Sequence, residues 1–209
     1  MDPRKIIIFG GLLLLCAGMI VYVAVAGQNE STALVQPPSG DDPDAVREIS
    51  EAGLPIERVT IAGKEYRLEL AASPTARYKG LSDREEIKVD GGMLFVFPRQ
   101  QVGVQRFVMR NCLADIDIIY LDPKMRITAM HAMKVEPARR PDEPKTPDAR
   151  RDRYFARLKK YSSKFPAQYA IELKGGTIEE LRKDPDQAKM LRRGQVIELD
   201  AQRLVKAAR

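Results

Sequence analysis

Ile116-Asp117-Ile118-Ile119-Tyr120-Leu121, the turn Asp122-Pro123-Lys124 and the stretch Arg126-Ile127-Thr128-Ala129-Met130-His131-Ala132-Met133 decide the fold. The first run is too short for a buried helix, rich in β-branched and aromatic side chains, and stopped by Asp-Pro, so it reads as a strand. The second run carries apolar or small residues at alternate positions and reads as another strand, with Asp122-Pro123-Lys124 supplying the turn. Working outward, residues 93–97 and 104–109 are further strands, and 58–61 and 65–71 flank Ala62-Gly63 as a hairpin. Ser73 and Pro74 open a helical turn reaching about residue 81, with serine capping and proline in the first turn. Downstream, 168–173 is a strand, Thr177 and Glu180 form a capping box, and Asp184-Pro185 starts a helix that Gly194 terminates. Residues 195–199 close the set as a strand. Many strands, short turns and small helices predict a mostly β (α+β) fold: a compact β-sandwich or barrel-like domain with short peripheral helices, over residues 57–200.

The N-terminal end sets the compartment. Residues 6–26 are uncharged and apolar throughout, preceded by Arg4 and Lys5. As a helix they span roughly 30 Å, the thickness of a bilayer's hydrocarbon core. Residues 28–46 contain no Lys or Arg, so the positive-inside bias keeps residues 1–5 in the cytoplasm and places the domain outside. The rival is a signal peptide cut after Ala26, since Ala24-Val25-Ala26 fits a small-x-small site, although the apolar stretch exceeds the usual h-region. Leu15 ahead of Cys16 is too large for a lipoprotein signal. The expected location is therefore a single-pass membrane protein or, after cleavage, a secreted or periplasmic one. Residues 27–56 read as a flexible tether, interrupted by a short helix with Asp42 as N-cap, Pro43 next and Gly53 beyond its end.

Composition narrows the function classes. Hydrophobic residues make up 44% of the chain, enough for a core, and with Cys16 in the apolar run Cys112 has no intramolecular disulfide partner in the domain. The net charge of +6 first suggests an anionic partner, but residues 137–166 hold ten Lys/Arg against four Asp/Glu and account for it. That segment begins with Pro137, Pro141 and Pro144 and continues as a predicted helix over 148–161. Tyr154, Phe155, Leu158 and Tyr161 form its apolar stripe; Arg150, Arg151, Arg153 and Arg157 lie on its polar face. Either the stripe packs on the domain as a solvated insertion, or the arginines contact lipid head groups or an acidic envelope polymer. Nucleic acid is not expected as a partner of an exported protein. Residues 201–209 read as a basic C-terminal tail.

Reactive motifs are scarce in the chain: there is no His pair at i, i+4, no Cys-x-x-Cys, no phosphate loop and no Gly-x-Ser-x-Gly elbow. No cofactor is predicted. His131 reads as a structural histidine and Cys112 as a buried thiol, with a Cys112–His131 dyad as the catalytic alternative. Asp115 and Asp117 would share one face of a strand and could hold a hard cation. Otherwise Asp115 sits in the entering turn while Asp117 accepts from backbone N–H groups. Glu172 lies in an apolar run and needs a cation such as Arg84 or Arg110.

Gly80-Leu81-Ser82-Asp83-Arg84, Gly92-Met93-Leu94-Phe95-Val96-Phe97, Phe107-Val108-Met109-Arg110-Asn111-Cys112 and Asp117-Ile118-Ile119-Tyr120-Leu121-Asp122, with the later Ile171-Glu172-Leu173-Lys174-Gly175-Gly176 and Arg193-Gly194-Gln195, resemble the domain of unknown function 192 family. The resemblance runs from about residue 59 to 199. It implies one β-rich domain, often behind a signal or anchor segment, with no established activity or cofactor. Ser82 stands where the family pattern has Met, Val108 where it has Trp, Arg110 for Lys, Cys112 for Thr and Asp115 for Pro. Arg84, Asn111, Asp117 and Glu172 keep the family's residue types and are the candidate ligand-binding residues. The expected function is a binding or accessory module of the cell envelope that recognises an anionic or polyhydroxyl ligand. The alternatives are a carboxylate-dependent hydrolase or transferase, and anionic-surface contact through the basic helix.

Overall fold

In the computed structural model, which describes residues 48–146 and 152–208, the two strands of the deciding stretch are β5 (Ile116–Leu121) and β6 (Ile127–Met133). They pair antiparallel at one side of a six-stranded sheet. Asp122 makes the turn: its Oδ1 accepts from the Lys124 and Arg126 N–H groups. The other strands are β1 (Ile56–Ile61), β2 (Lys64–Ala71), β3 (Gly91–Val96), β4 (Gly103–Phe107), β7 (Tyr161–Ala167) and β8 (Tyr169–Lys174). The large sheet runs β1-β2-β3-β8-β5-β6, and β4 pairs with β7 in a second, two-stranded sheet. Ala62 and Gly63 both take positive φ at the β1–β2 hairpin, where their backbone follows the twist of the paired strands. β2 and β3 are parallel, joined by a crossover that includes α1 (Pro74–Lys79), whose N-cap Ser73 accepts from Ala76 N–H.

Alternation along the strands builds a core on each face of the large sheet. Leu68, Leu94, Ile119, Ile171 and Leu173 face α3 (Thr177–Arg182), α4 (Pro185–Met190) and α5 (Ala201–Ala207), which contribute or lead into Ile178, Leu181, Leu191 and Leu204. On the other face, Met93, Phe95, Ile118 and Tyr120 lie beneath α1, β4 and β7 and meet Leu81, Phe107, Tyr161 and Ala167. β5 is buried along its whole length, as its continuous apolar run requires. Each fully buried aliphatic side chain contributes about 1.5–3 kcal/mol, so two cores hold the sheet without a disulfide.

The architecture is mostly β with short helices, and it is an open layered sheet rather than a closed barrel. Other expectations need correction. Residues 195–199 form no full strand: Val196 makes a single bridge to Arg126, and Ile197 N–H donates to Met125 O. The predicted tail is α5, capped by Asp200, anchored by buried Leu204 and held to β1 by the two-pronged Arg203–Glu57 pair. Long-range packing and pairing, invisible in local composition, order it. The predicted helix over 148–161 is reduced, in its described part, to α2 (Arg153–Arg157), because Tyr161 onward pairs with β4. Pro166 is tolerated there because the pair has free edges. Thr177 is not a cap: Gly176 holds that place with φ +88° and a carboxylate from β5 does the capping.

The apolar segment 6–26, most of the predicted tether, and the start of the helix expected at Asp42 lie outside the described residues. Residues 48–53 are not helical. Ile49 bridges Pro55 around a turn in which Gly53 has φ +74°, so this end of the expected tether lies against the fold. Among the described residues, no helix is long and apolar enough to cross a membrane.

Candidate functional site

The four predicted site residues do not converge. Register separates two of them: Asp117 pairs with Leu173, one residue from Glu172, so the two carboxyls point to opposite faces of the sheet. Asp117 is buried on the helix side, where its Oδ2 accepts from Ile178 N–H at 2.7 Å at the start of α3. Burial lifts its carboxyl above the usual range, opposed by the N–H groups of Ile178 and Gly176. Asp115 sits before β5 and bonds Lys134 Nζ and Val135 N–H, with no contribution to a shared metal site. Among the described residues no group of three His, Cys, Asp or Glu side chains could hold a metal ion. The backbone-acceptor reading of Asp117 and the turn reading of Asp115 therefore hold.

Asn111 is also structural. It has φ +52°, its N–H donates to Tyr154 Oη and its Oδ1 accepts from the same hydroxyl, while its carbonyl accepts from Asp83 N–H. Arg84 forms a two-pronged pair with buried Glu69 at 2.7 and 2.5 Å, which raises the guanidinium's pKa. That pair lies on an open hollow of about 910 Å³ bounded by residues 48–54 and the α1–β3 connection.

Glu172 has a different setting. It projects from central β8 beneath Gly80 and is 5% exposed, and its Oε2 has no hydrogen-bond partner. Leu81 N–H bonds the carboxyl, and Arg84 acts on it through its charge, but burial dominates and pushes the acid up to about 8. At neutral pH Glu172 is thus mainly a neutral acid able to donate. Gly80 covers it, in a backbone conformation that other residues rarely adopt. It ends α1 with φ +53°, and a Cβ there would lie 3.4 Å from the Phe95 ring and 3.7 Å from Glu172 Oε2.

Above Glu172 a cleft of about 230 Å³ opens between α1 and β4. Phe95, Phe97 and Phe107 wall it, with edge-to-face ring pairs at 4.9 and 6.4 Å. Arg77, Arg106 and Arg110 give it a cationic margin, and Arg110 stacks over Tyr78 at 4.3 Å. Sequence reasoning reached Glu172 but missed Gly80, Arg106 and the phenylalanines. The signal was an acid inside an apolar strand together with Gly80 directly after α1. Four departures from the family pattern, Ser82, Val108, Arg110 and Cys112, all line this cleft.

The Cys112–His131 dyad is not formed. Cys112 Sγ donates to Arg110 O and burial pushes the thiol up to about 12, whereas His131 Nε2 contacts Ser162 O at 2.7 Å between the Tyr120 and Tyr161 rings. In the basic segment Arg157 bonds Glu143, holding that carboxyl down to about 2, and both Arg139 and Arg157 stack on buried Tyr154. Arg153 is exposed and faces Asp142. Arg150 and Arg151 lie outside the described residues. Tyr154, Leu158 and Tyr161 are buried, so the stripe packs on the domain.

A family model described as Uncharacterized ACR, domain of unknown function 192 (DUF192), matches residues 57–188. The chain belongs to the DUF192 family. No curated protein matches it. A solved neighbour, a protein of unknown function from Novosphingobium aromaticivorans, is 23% identical over 75% of this chain and 94% of its own, with a TM-score of 0.55. A putative transcription regulator from Sinorhizobium meliloti is 23% identical over 68% of this chain and 89% of its own, with a TM-score of 0.47. The first likeness shows a shared fold and carries no activity with it.

Proposed function

We propose that this DUF192 protein is a binding or accessory module of the cell envelope whose ligand site is the cleft above Glu172. The unpartnered, buried Oε2 of Glu172 at the base of an aromatic-walled opening carries the reading. A buried carboxyl without a full set of partners costs about 1–3 kcal/mol, and a ligand that completes its hydrogen bonds recovers part of that cost. The cationic margin favours an anionic ligand, and the phenylalanine walls also suit the apolar face of a polyhydroxyl one. Arg84 supports the acid from behind through its charge, and Asn111 fixes the adjoining turn. Asp117 serves the helical layer instead.

Residues 6–26 act as the anchor and place the domain at the outer membrane face, close to anionic polymers, lipid head groups and other envelope proteins; cleavage after Ala26 would release it. A thermal-shift screen of carboxylates, phosphates and saccharides tests the binding role. Hits are expected to lose their effect in Arg106→Gln. A screen with no hits, or hits indifferent to cleft substitutions, removes this reading. Protease treatment of intact cells tests the address, with digestion of the domain expected from outside.

The enzymatic alternative keeps one supporting observation, the burial of Glu172, which raises its carboxyl and suits a general acid. Burial holds Cys112, the thiol on the same lining, in its protonated form, so it is not an activated nucleophile. Turnover of any screened ester or glycoside that disappears in Glu172→Gln would favour the enzyme.

A further inference from the structure

Most polar groups on the cleft lining are already consumed within the protein. Ser82 Oγ donates to Arg110 O at 2.8 Å, Arg110 Nη2 to Tyr78 O at 2.6 Å and Gln105 Nε2 to Gln101 O at 2.9 Å. Arg77 is committed to the carbonyls of Ala72 and Val96. Two groups remain. Glu172 Oε2 is unpartnered at the floor, and Arg106 is exposed at the mouth with no polar partner among the described residues. Between them the walls are aromatic, with Phe97 and Phe107 presenting ring surfaces.

We propose that the cleft binds a small aryl carboxylate carrying a polar substituent at the far end of its ring. The carboxylate sits on Arg106, the ring lies among the phenylalanines, and the substituent, such as a phenolic hydroxyl, meets Glu172. This rests on the cleft being the ligand site proposed above.

Size agrees with that ligand. A cavity of about 150 Å³ holds benzene, so about 230 Å³ takes one ring and a short acidic arm. Charge agrees as well, because the arginine margin attracts an anion and opposes an amine. A neutral Glu172 accepts the approach of an anionic molecule and donates to its distal oxygen. A saccharide would draw on hydroxyl partners along its length, whereas the walls between Arg106 and Glu172 are largely aromatic.

The test is titration calorimetry on the full-length chain in mild detergent at pH 7, using 3-(4-hydroxyphenyl)propanoate, its primary amide, 3-phenylpropanoate, inorganic phosphate and a neutral oligosaccharide. The hydroxy acid should bind most tightly, with the amide and the deoxy acid each weaker by about tenfold, the loss expected for one charge-assisted or buried hydrogen bond. Arg106→Gln, at an exposed position that leaves the core intact, should weaken the acid about tenfold and leave the amide unchanged. Equal loss for acid and amide overturns the assignment of Arg106, and phosphate binding as well as the hydroxy acid overturns the aromatic slot. Saccharide binding that depends on Glu172, without binding of aryl acids, overturns the ligand class while the binding role stands. Silence across the whole panel removes both.

Discussion

Replacing Glu172 by Gln isolates the strain stored beneath the cleft. Burial raises this carboxyl to about 8 from an ordinary 4.5. Below pH 4.5 the acid is protonated in both folded and unfolded chains, and its contribution is fully present. As pH rises from there, the unfolded chain releases the proton first, so stability falls by up to about 1.4 kcal/mol per pH unit until the folded-state acid ionises near pH 8. The interval between the two values sets an upper limit of about 5 kcal/mol, and relaxation toward Arg84 or water entering from the cleft reduces it to roughly 2–5 kcal/mol. Glutamine keeps the shape and a donor but cannot ionise. Urea unfolding followed by circular dichroism at pH 5, 7 and 9 should therefore show similar stability for the two proteins at pH 5. At pH 9 the variant should be the more stable by that amount. Parallel pH profiles would mean that the acid is solvated in the folded protein, and the account of the cleft floor would fail with it.

Three further outcomes follow from the packing. Gly92→Ala puts a Cβ at 2.2 Å from Glu172 O at a φ of +152°, so the β3–β8 pairing must shift; a loss of about 3 kcal/mol or more is expected in urea, and an unchanged midpoint refutes the close approach. Asp117→Ala removes the acceptor for Ile178 N–H and should cost about 1–3 kcal/mol with faster hydrogen exchange at that amide; an unaltered exchange rate contradicts the capping role. Arg157→Gln should lower the melting temperature more than Arg153→Gln, because Arg157 bridges buried Glu143 and the carbonyls of Pro137 and Ala138, whereas Arg153, among the described residues, bonds only the exposed Asp142; equal effects would place both arginines on a passive surface.

The reversal at the C-terminal end shows where local reading stops. Ala201 to Ala207 has the composition of a basic tail, yet Asp200 caps it and Leu204 enters the helix-side core. Arg203 finds Glu57 from a strand at the far end of the sequence. Leu158 to Tyr161 show the converse: the stripe predicts helix through them, but the helix ends at Arg157 and β4 offers Tyr161 a ladder. In both cases the deciding partner is distant in sequence, and periodicity records only what a residue would do among its neighbours.

Local patterning was enough to define the strand-rich domain. Pleated alternation, the Asp122 turn, the Ala62-Gly63 hairpin and the Ser73 cap are local, and each was legible from residues within a few positions. It also singled out Glu172, since an acid in an apolar strand is conspicuous wherever that strand is placed. Tertiary structure alone decided which carboxyl could serve a ligand. Neighbouring register positions on β5 and β8 send Asp117 to cap a helix and Glu172 to the floor of an aromatic cleft, because side chains one step apart on paired strands leave opposite faces of the sheet.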